Sequence, residues 1–311
     1  MSFHLIGARA RRPAGALPVA RVVGGAHDGS LLMHTDDETG QQMINLTSGE
    51  FTPMPDPREG RRCVYHVVAA SGGGKSSFAA SFARNHASMF PNHKTFVLSN
   101  DMTEDPAYAK VVHTRIPASE ELNTIEIGPL CEKNDATLLI FDDTESIPEK
   151  KDRLALESFQ GRALTQGRKH GCHVLSLVHR GADGRSTRTS LLESNGLVVF
   201  PKYAGGSNLK YMLEKHFNVP GAILKSIKDG FGRWVLIRND AEPYILGPSR
   251  AAIYDQDDVA GALKTRTLAE KKVQNRVAEA AASRMAESCS EGEESYDEEP
   301  ELNSTFRRMM R

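Results

Sequence analysis

The stretch VVAASGGGKSSF, residues 67–78, decides how the rest of the chain is read. A phosphate-cradling loop follows the pattern G-x-x-x-x-G-K-[ST]. Its glycines let backbone N–H groups turn inward around a phosphate, its lysine reaches the β/γ oxygens, and its hydroxyl binds Mg²⁺. Gly74, Lys75 and Ser76 fill the last three positions, but Ala69 stands where the first glycine belongs. That position is where a strand turns into the loop. One methyl is tolerable there, while Gly72, Gly73 and Gly74 keep backbone freedom nearer the phosphates. The flanks agree with the motif. CVYHVVA reads as a strand, and KSSFAASFARNHASMF has helical spacing, so a helix would point its positive end at the loop. This assigns Ala70, Ser71, Gly72, Gly73, Gly74, Lys75, Ser76 and Ser77 to nucleotide binding, with ATP and Mg²⁺ as cofactors. The Lys75 side chain is expected to lie in a solvated loop.

A second motif, TLLIFDD at 137–143, is an apolar strand ending in acids. Such a strand supplies the magnesium side of a nucleotide site. Asp142 would hold Mg²⁺ through water, opposite Ser76, and Asp143 would lie beside the attacking water. Aspartate is short for that task, so Glu145 stays open as the base. A third segment, HVLSLVHR at 173–180, offers Ser176, His179 and Arg180 as polar groups at a strand end, where the γ-phosphate is sensed. Arg162, Arg168, Arg180, Arg185 and Arg188 flank this region, and any of them would serve as a finger into a neighbouring subunit.

From residue 63 onward strand-like and helix-like segments alternate: KTFVLSN, TLLIFDD, a helix in KKDRLALESFQGRALTQGRK, then HVLSLVH and GLVVFPK. This predicts an α/β fold with a mostly parallel sheet covered on both faces. LKYMLEKHFN and GAILKSIKD read as short helices, and RWVLIR with PYILG as a closing hairpin. Residues 1–60, rich in Gly, Arg and Pro, read as a flexible extension with short strands near 19–23 and 30–34, and TPMPDP at 52–57 as a linker. Residues 61–250 are the expected catalytic domain. Residues 251–311 are an expected helical and acidic tail, helix-prone over 256–285.

The net charge of −1 hides an uneven distribution. Residues 264–284 hold six Lys/Arg and two Glu, and 287–301 hold eight acids and no base. Such ends are expected to be solvated arms, or to touch nucleic acid or a capsid-like partner. Four scattered cysteines suggest neither a zinc site nor a disulfide framework. No apolar run is long enough for a bilayer, and no signal-peptide core is evident. The expected setting is the host cytoplasm, nucleus or virus factory, or the virion, without secretion and without a membrane.

The order AASGGGKSS, LLIFDDTESI, GRKHGCHVLSLVHR, TRTSLLESNGLVVFPK, GRWVLIR and PYIL resembles the P-loop ATPases of large double-stranded DNA viruses, including genome-packaging ATPases of the FtsK/HerA type. The resemblance covers residues 63–247. It implies a RecA/FtsK-like P-loop NTPase fold, with Lys75 and Ser76 as phosphate and Mg²⁺ ligands, Asp142 as the magnesium aspartate and Asp143 as the catalytic acid. It departs at Ala69, and at the polar strand end, where packaging ATPases carry glutamine and this chain offers Ser176 or His179. The implied function is Mg²⁺-dependent ATP hydrolysis driving DNA translocation or genome packaging by a homo-oligomer. Double-stranded DNA and a capsid or virion protein would be its partners. Two other readings stay open: an ATP-dependent switch without motor activity, and a nucleotide or polynucleotide kinase. The kinase reading lacks an arginine-rich lid after Asp143.

Overall fold

The run TLLIFD becomes a strand with all six residues buried, and the parity of its side chains organises the protein. Leu138 and Ile140 enter an apolar cluster with Phe78, Phe82 and Ala83. Leu139 and Phe141 enter a second cluster with Ala155, Leu156 and Phe159. Successive strand residues point to opposite faces, so an unbroken apolar run buries a helix on each side. A computed structural model describes residues 1–253 except 59–60, 101, 133–135, 183, 203–205, 218, 220–226, 228–229 and 241–242. The helix-prone segment 256–285, the acidic tail and nearly all of GAILKSIKD lie outside the described residues.

Five strands lead the chain: β1 (Ser2–Ile6), β2 (Leu17–Val23), β3 (Leu31–Thr35), β4 (Met43–Asn45) and β5 (Glu50–Pro53). Then follow β6 (Val64–Val68), α1 (Lys75–Met89), β7 (Lys94–Ser99), β8 (Thr114–Pro117), α2 (Ile127–Glu132), β9 (Thr137–Asp142), α3 (Lys150–Gln166) and β10 (His173–Val178). The chain continues with α4 (Gly184–Glu193), β11 (Gly196–Val199), α5 (Gly206–Tyr211), β12 (Val235–Arg238), β13 (Tyr244–Leu246) and β14 (Arg250–Ile253). A ten-stranded sheet has the order β4-β14-β13-β12-β11-β6-β10-β9-β7-β8. It is parallel from β11 to β8 and antiparallel from β11 to β4. The central order β11-β6-β10-β9-β7 inserts one strand between the loop strand and the acid strand, as in RecA/FtsK-like P-loop NTPases. The chain therefore has that fold. RWVLIR and PYIL pair as the expected hairpin, which β14 and β4 extend.

The N-terminal segment departs from the expected flexible arm. Strands β1, β3, β2 and β5 form their own antiparallel sheet. Phe3, Val19, Val22, Leu32 and Phe51 join the same apolar cluster as Tyr65 and Phe82. The prolines at 52–57 are not a free linker either. Thr52 and Pro53 belong to β5, and Met54, Pro55 and Asp56 are buried. Asn85 of α1 donates to the backbone carbonyls of Thr52 (3.2 Å) and Pro53 (2.9 Å), tying this segment to the helix. Asp56 accepts from Arg58 at 2.6 Å and lies 3.3 Å from Arg238, whose guanidinium also holds Asp240. Burial opposes ionisation of Asp56, but Arg58 and Arg238 outweigh it and hold the carboxyl below its usual range.

Candidate functional site

The loop of residues 69–74 joins the end of β6 to the start of α1. Gly74 caps the helix at φ +104, and a Cβ there would stand 3.2 Å from the Phe200 ring. Gly72 also has positive φ, +71. Both therefore need glycine. Ala69 does not, because Asp143 is the sole non-glycine residue with positive φ among the described residues. Ala69 is fully buried, its N–H donates to Val178 O at 3.2 Å, and its carbonyl faces Lys75. The methyl at the first position thus costs no backbone strain.

An open cleft of about 320 Å³ is lined by Ser71, Gly72, Gly73, Gly74, Lys75, Ser76 and Ser77 on one wall. Asp105, Ala107, Asp142, Asp143 and His179 form the other. Lys75 is not solvated as expected: it is 6% exposed. Its ammonium donates to Ala69 O at 3.1 Å and to His179 Nδ1 at 3.2 Å. Burial lowers its pKa, against the raising effect of Asp143, Asp142 and Glu145. An ammonium can only donate, so Nδ1 of His179 accepts and its Nε2–H points at Asp143 Oδ1, 2.7 Å away. Lys75, His179 and Asp143 thus form a continuous chain across the cleft.

Asp143 sits at φ 50, ψ 39, the left-handed conformation. Aspartate tolerates this better than most residues. The conformation starts a short 3₁₀ turn and turns the carboxylate out of the line of β9. Glu145 lies apart from the cleft wall, with its oxygens on the backbone N–H groups of His179 (3.2 Å) and Arg180 (3.4 Å). It fixes the loop after β10. Ser176 is buried in β10 and accepts from Gln160 of α3 at 2.9 Å. Of the two candidates at the polar strand end, only His179 lines the cleft. Arg180 is exposed next to it, Arg188 is exposed on α4, and Arg162 donates to the carbonyls of Ile125 and Leu122.

Asp142 is buried, and its carboxyl is pushed up to about 6, first by burial and then by Asp143. Two adjacent carboxyls with one partly buried lysine make a place that favours a cation. Ser76 and Asp142 supply hydroxyl and carboxylate oxygens, the hard donors that Mg²⁺ takes alongside phosphate oxygens and water. Tyr108, fully buried, donates its hydroxyl to Asp142 Oδ2 at 3.2 Å. Asp105 caps the turn holding Tyr108 by accepting from Ala107 N–H at 2.8 Å. Neither Tyr108 nor Asp105 was visible as a site residue in sequence. The available signal was Asp105-Pro106, a capping acid followed by a proline at the first helical position.

No family model matches the sequence. Over 224 residues the chain is 29% identical to the uncharacterized protein V3 of Sputnik virophage, covering 71% of this chain and 88% of that protein. Among solved structures it is similar to the genome packaging NTPase B204 from Sulfolobus turreted icosahedral virus 2. That match has 13% identity and a TM-score of 0.43, over 60% of this chain and 97% of the other. The conjugation coupling protein TcpA of pCW3 matches at 11% identity and a TM-score of 0.41, over 81% of this chain and 82% of the other. The cytoplasmic domain of the type VII secretion ATPase EccC of Thermomonospora curvata matches at 13% identity and a TM-score of 0.45, over 80% of this chain and 28% of the other. No helix among the described residues is long and apolar enough to cross a membrane.

Proposed function

We propose that the protein is a Mg²⁺-dependent ATPase of the FtsK/HerA-type group that moves double-stranded DNA as a homo-oligomer, in the packaging of a viral genome. The observation that carries the ATPase reading is the Lys75–His179–Asp143 chain spanning the cleft beneath the glycine loop. The loop N–H groups and the α1 N-terminus hold the phosphates. Lys75 places its ammonium against the transferring phosphoryl group, where the growing charge is stabilised in a partly desolvated site. Asp143 accepts the proton of the attacking water, and His179 orients its carboxylate through Nε2–H. A phosphate that draws Lys75 away leaves His179 Nδ1 without its donor. His179 thereby couples occupancy of the loop to the position of Asp143. Ser76 and Asp142 would hold Mg²⁺, which supplies charge neutralisation at the phosphates.

The motor reading rests on the resemblance of residues 63–247 to ATPases of large double-stranded DNA viruses. The virophage relative is in keeping with a viral setting. Arg180 and Arg188 stand beyond β10, where a ring would present an arginine to its neighbour's nucleotide, a contribution worth about 10³–10⁵ in rate. The test is a subunit mixture. Lys75→Ala subunits, with their arginines intact, are combined with subunits carrying Ala at 180, 185 and 188, and phosphate release is measured with and without double-stranded DNA. Recovery of turnover in the mixture is expected, with stimulation by DNA that fades as salt rises. No recovery, together with a monomer by light scattering in ATP and DNA, refutes the motor and leaves the ATP switch.

A further inference from the structure

The phosphate cleft continues into a second cavity. Gly73, Gly74 and Ser77 line both. Beyond them the second cavity is walled by Ser81 of α1, Thr52 and Pro53 of β5, Phe200 after β11, and Arg233 and Trp234 before β12. A third cavity of about 340 Å³ adjoins it along the outer face of α1, sharing Glu50, Thr52 and Ser81 and reaching Arg84 and Asn85. A continuous groove therefore leaves the α-phosphate end of the loop, opposite His179.

We infer that this groove is the nucleoside subsite of the enzyme, and that it takes a purine between Thr52 of the N-terminal sheet and Arg233 of the C-terminal hairpin. The inference rests on the ATP reading above and extends it to residues outside the loop. The direction is fixed by the chain across the cleft. Lys75, His179 and Asp143 mark the γ-phosphate end, so the α-phosphate lies toward Ser77 and the sugar must leave past it. Ser77 and Ser81 are one helical turn apart on the same face and offer hydroxyls to a ribose. The floor is rigid. Trp234 packs edge-on against Phe78 at 5.2 Å between ring centres, and both are buried. Asn85 locks β5 to α1 through three hydrogen bonds to Thr52 and Pro53.

The mouth is adjustable. Arg233 and Glu50 are exposed and pair at 3.1 Å across the second cavity, which holds only about 50 Å³ in this state. A planar base entering there must part them. It then gains a guanidinium to stack on and a carboxylate to accept from an exocyclic amino group. An exposed ion pair is worth little by itself, so it opens at low cost. The same contact joins the N-terminal sheet to the hairpin, and base binding would be felt by both.

The experiment titrates the full chain calorimetrically with Mg-ATP and with Mg-tripolyphosphate, which carries the phosphates without the nucleoside. Wild type is expected to prefer ATP by about tenfold or more, the value of one stacked base. The double variant Glu50→Ala/Arg233→Ala changes two exposed side chains. It should lose most of that preference while binding tripolyphosphate as wild type does. Ser81→Trp, which fills the groove from the helix side, should do the same. A preference unchanged in both variants, or absent in wild type, overturns the nucleoside subsite. Wild type that binds neither Mg-ATP nor Mg-tripolyphosphate instead overturns the phosphate-loop reading on which it rests.

Discussion

Lys75→Ala tests the site most directly. The ammonium is 6% exposed and bridges Ala69 O to His179 Nδ1. Two unit charges about 4 Å apart in a medium of effective dielectric near 20 attract by about 4 kcal/mol. That is on the order of 10³-fold in rate if the attraction is felt chiefly in the transition state. The fold should feel the change far less. The lost hydrogen bond to Ala69 is worth about 1 kcal/mol. Removing a buried cation whose charge is disfavoured by burial offsets part of it. Alanine also suits the first turn of a helix. A melting temperature within roughly 4 °C of wild type is expected. The assay is steady-state phosphate release at saturating Mg-ATP with DNA present, alongside thermal melting. Lys75→Met, which keeps the stem and drops the charge, should match the alanine variant. Turnover of Lys75→Ala within a few fold of wild type would refute the reasoning.

The two acids after Asp142 should separate. Asp143→Asn should bind Mg-ATP yet hydrolyse it about 10²–10⁴ times more slowly, whereas Glu145→Gln should lose only what loosening the loop after β10 costs; the reverse order in single-turnover rates would exchange their roles. Ala69→Gly, which restores the usual motif, should not tighten ATP binding. It should lower stability by about 0.4–1 kcal/mol, because Ala69 already has an ordinary backbone and glycine adds only unfolded-state freedom; chemical denaturation decides. Acid should weaken the core through its buried histidines. His66 and His173 are pushed down to about 4 by burial, and His86 to about 2. Their folded-state values lie below the unfolded one near 6.5, so the stability they allow is complete above pH 6.5 and declines as pH falls toward 4. At pH 5 the cost is about 2 kcal/mol for each of His66 and His173. A loss of stability between pH 8 and pH 5 that is about 2 kcal/mol smaller in His66→Gln than in wild type, with the remainder carried by His173 and His86, would confirm the source; a flat wild-type profile would exclude it.

The sequence determined the parts of this protein whose physics is local. The glycine loop needs its backbone torsions whatever surrounds it, and Gly72 and Gly74 have them. An apolar run ending in Asp142 has to be a strand buried on both faces, and a single helix has to follow the loop. These features fix the class of fold and the glycine-loop wall of the cleft. Tertiary structure decided whatever depends on which strand lies beside which. Sequence left Ser176 and His179 as equals. They are three residues apart and so differ in parity: Ser176 turns to Gln160 of α3, while His179 falls at the mouth between β6 and β9. Two of the N-terminal strands, β2 and β3, were legible near 19–23 and 30–34, but the sheet they build with β1 and β5 was not, because its strands are short and set among glycines and prolines. Those strands are held by long-range pairing and by burial against Tyr65 and Phe82, which no local pattern records. The far wall of the cleft, Asp105 with Tyr108, and the groove between Thr52 and Arg233 come from segments distant from the loop in sequence. Only the packing of β7, β5 and β12 around α1 and its sheet brings them to it, because side chains meet through the fold's closure and not through their spacing along the chain.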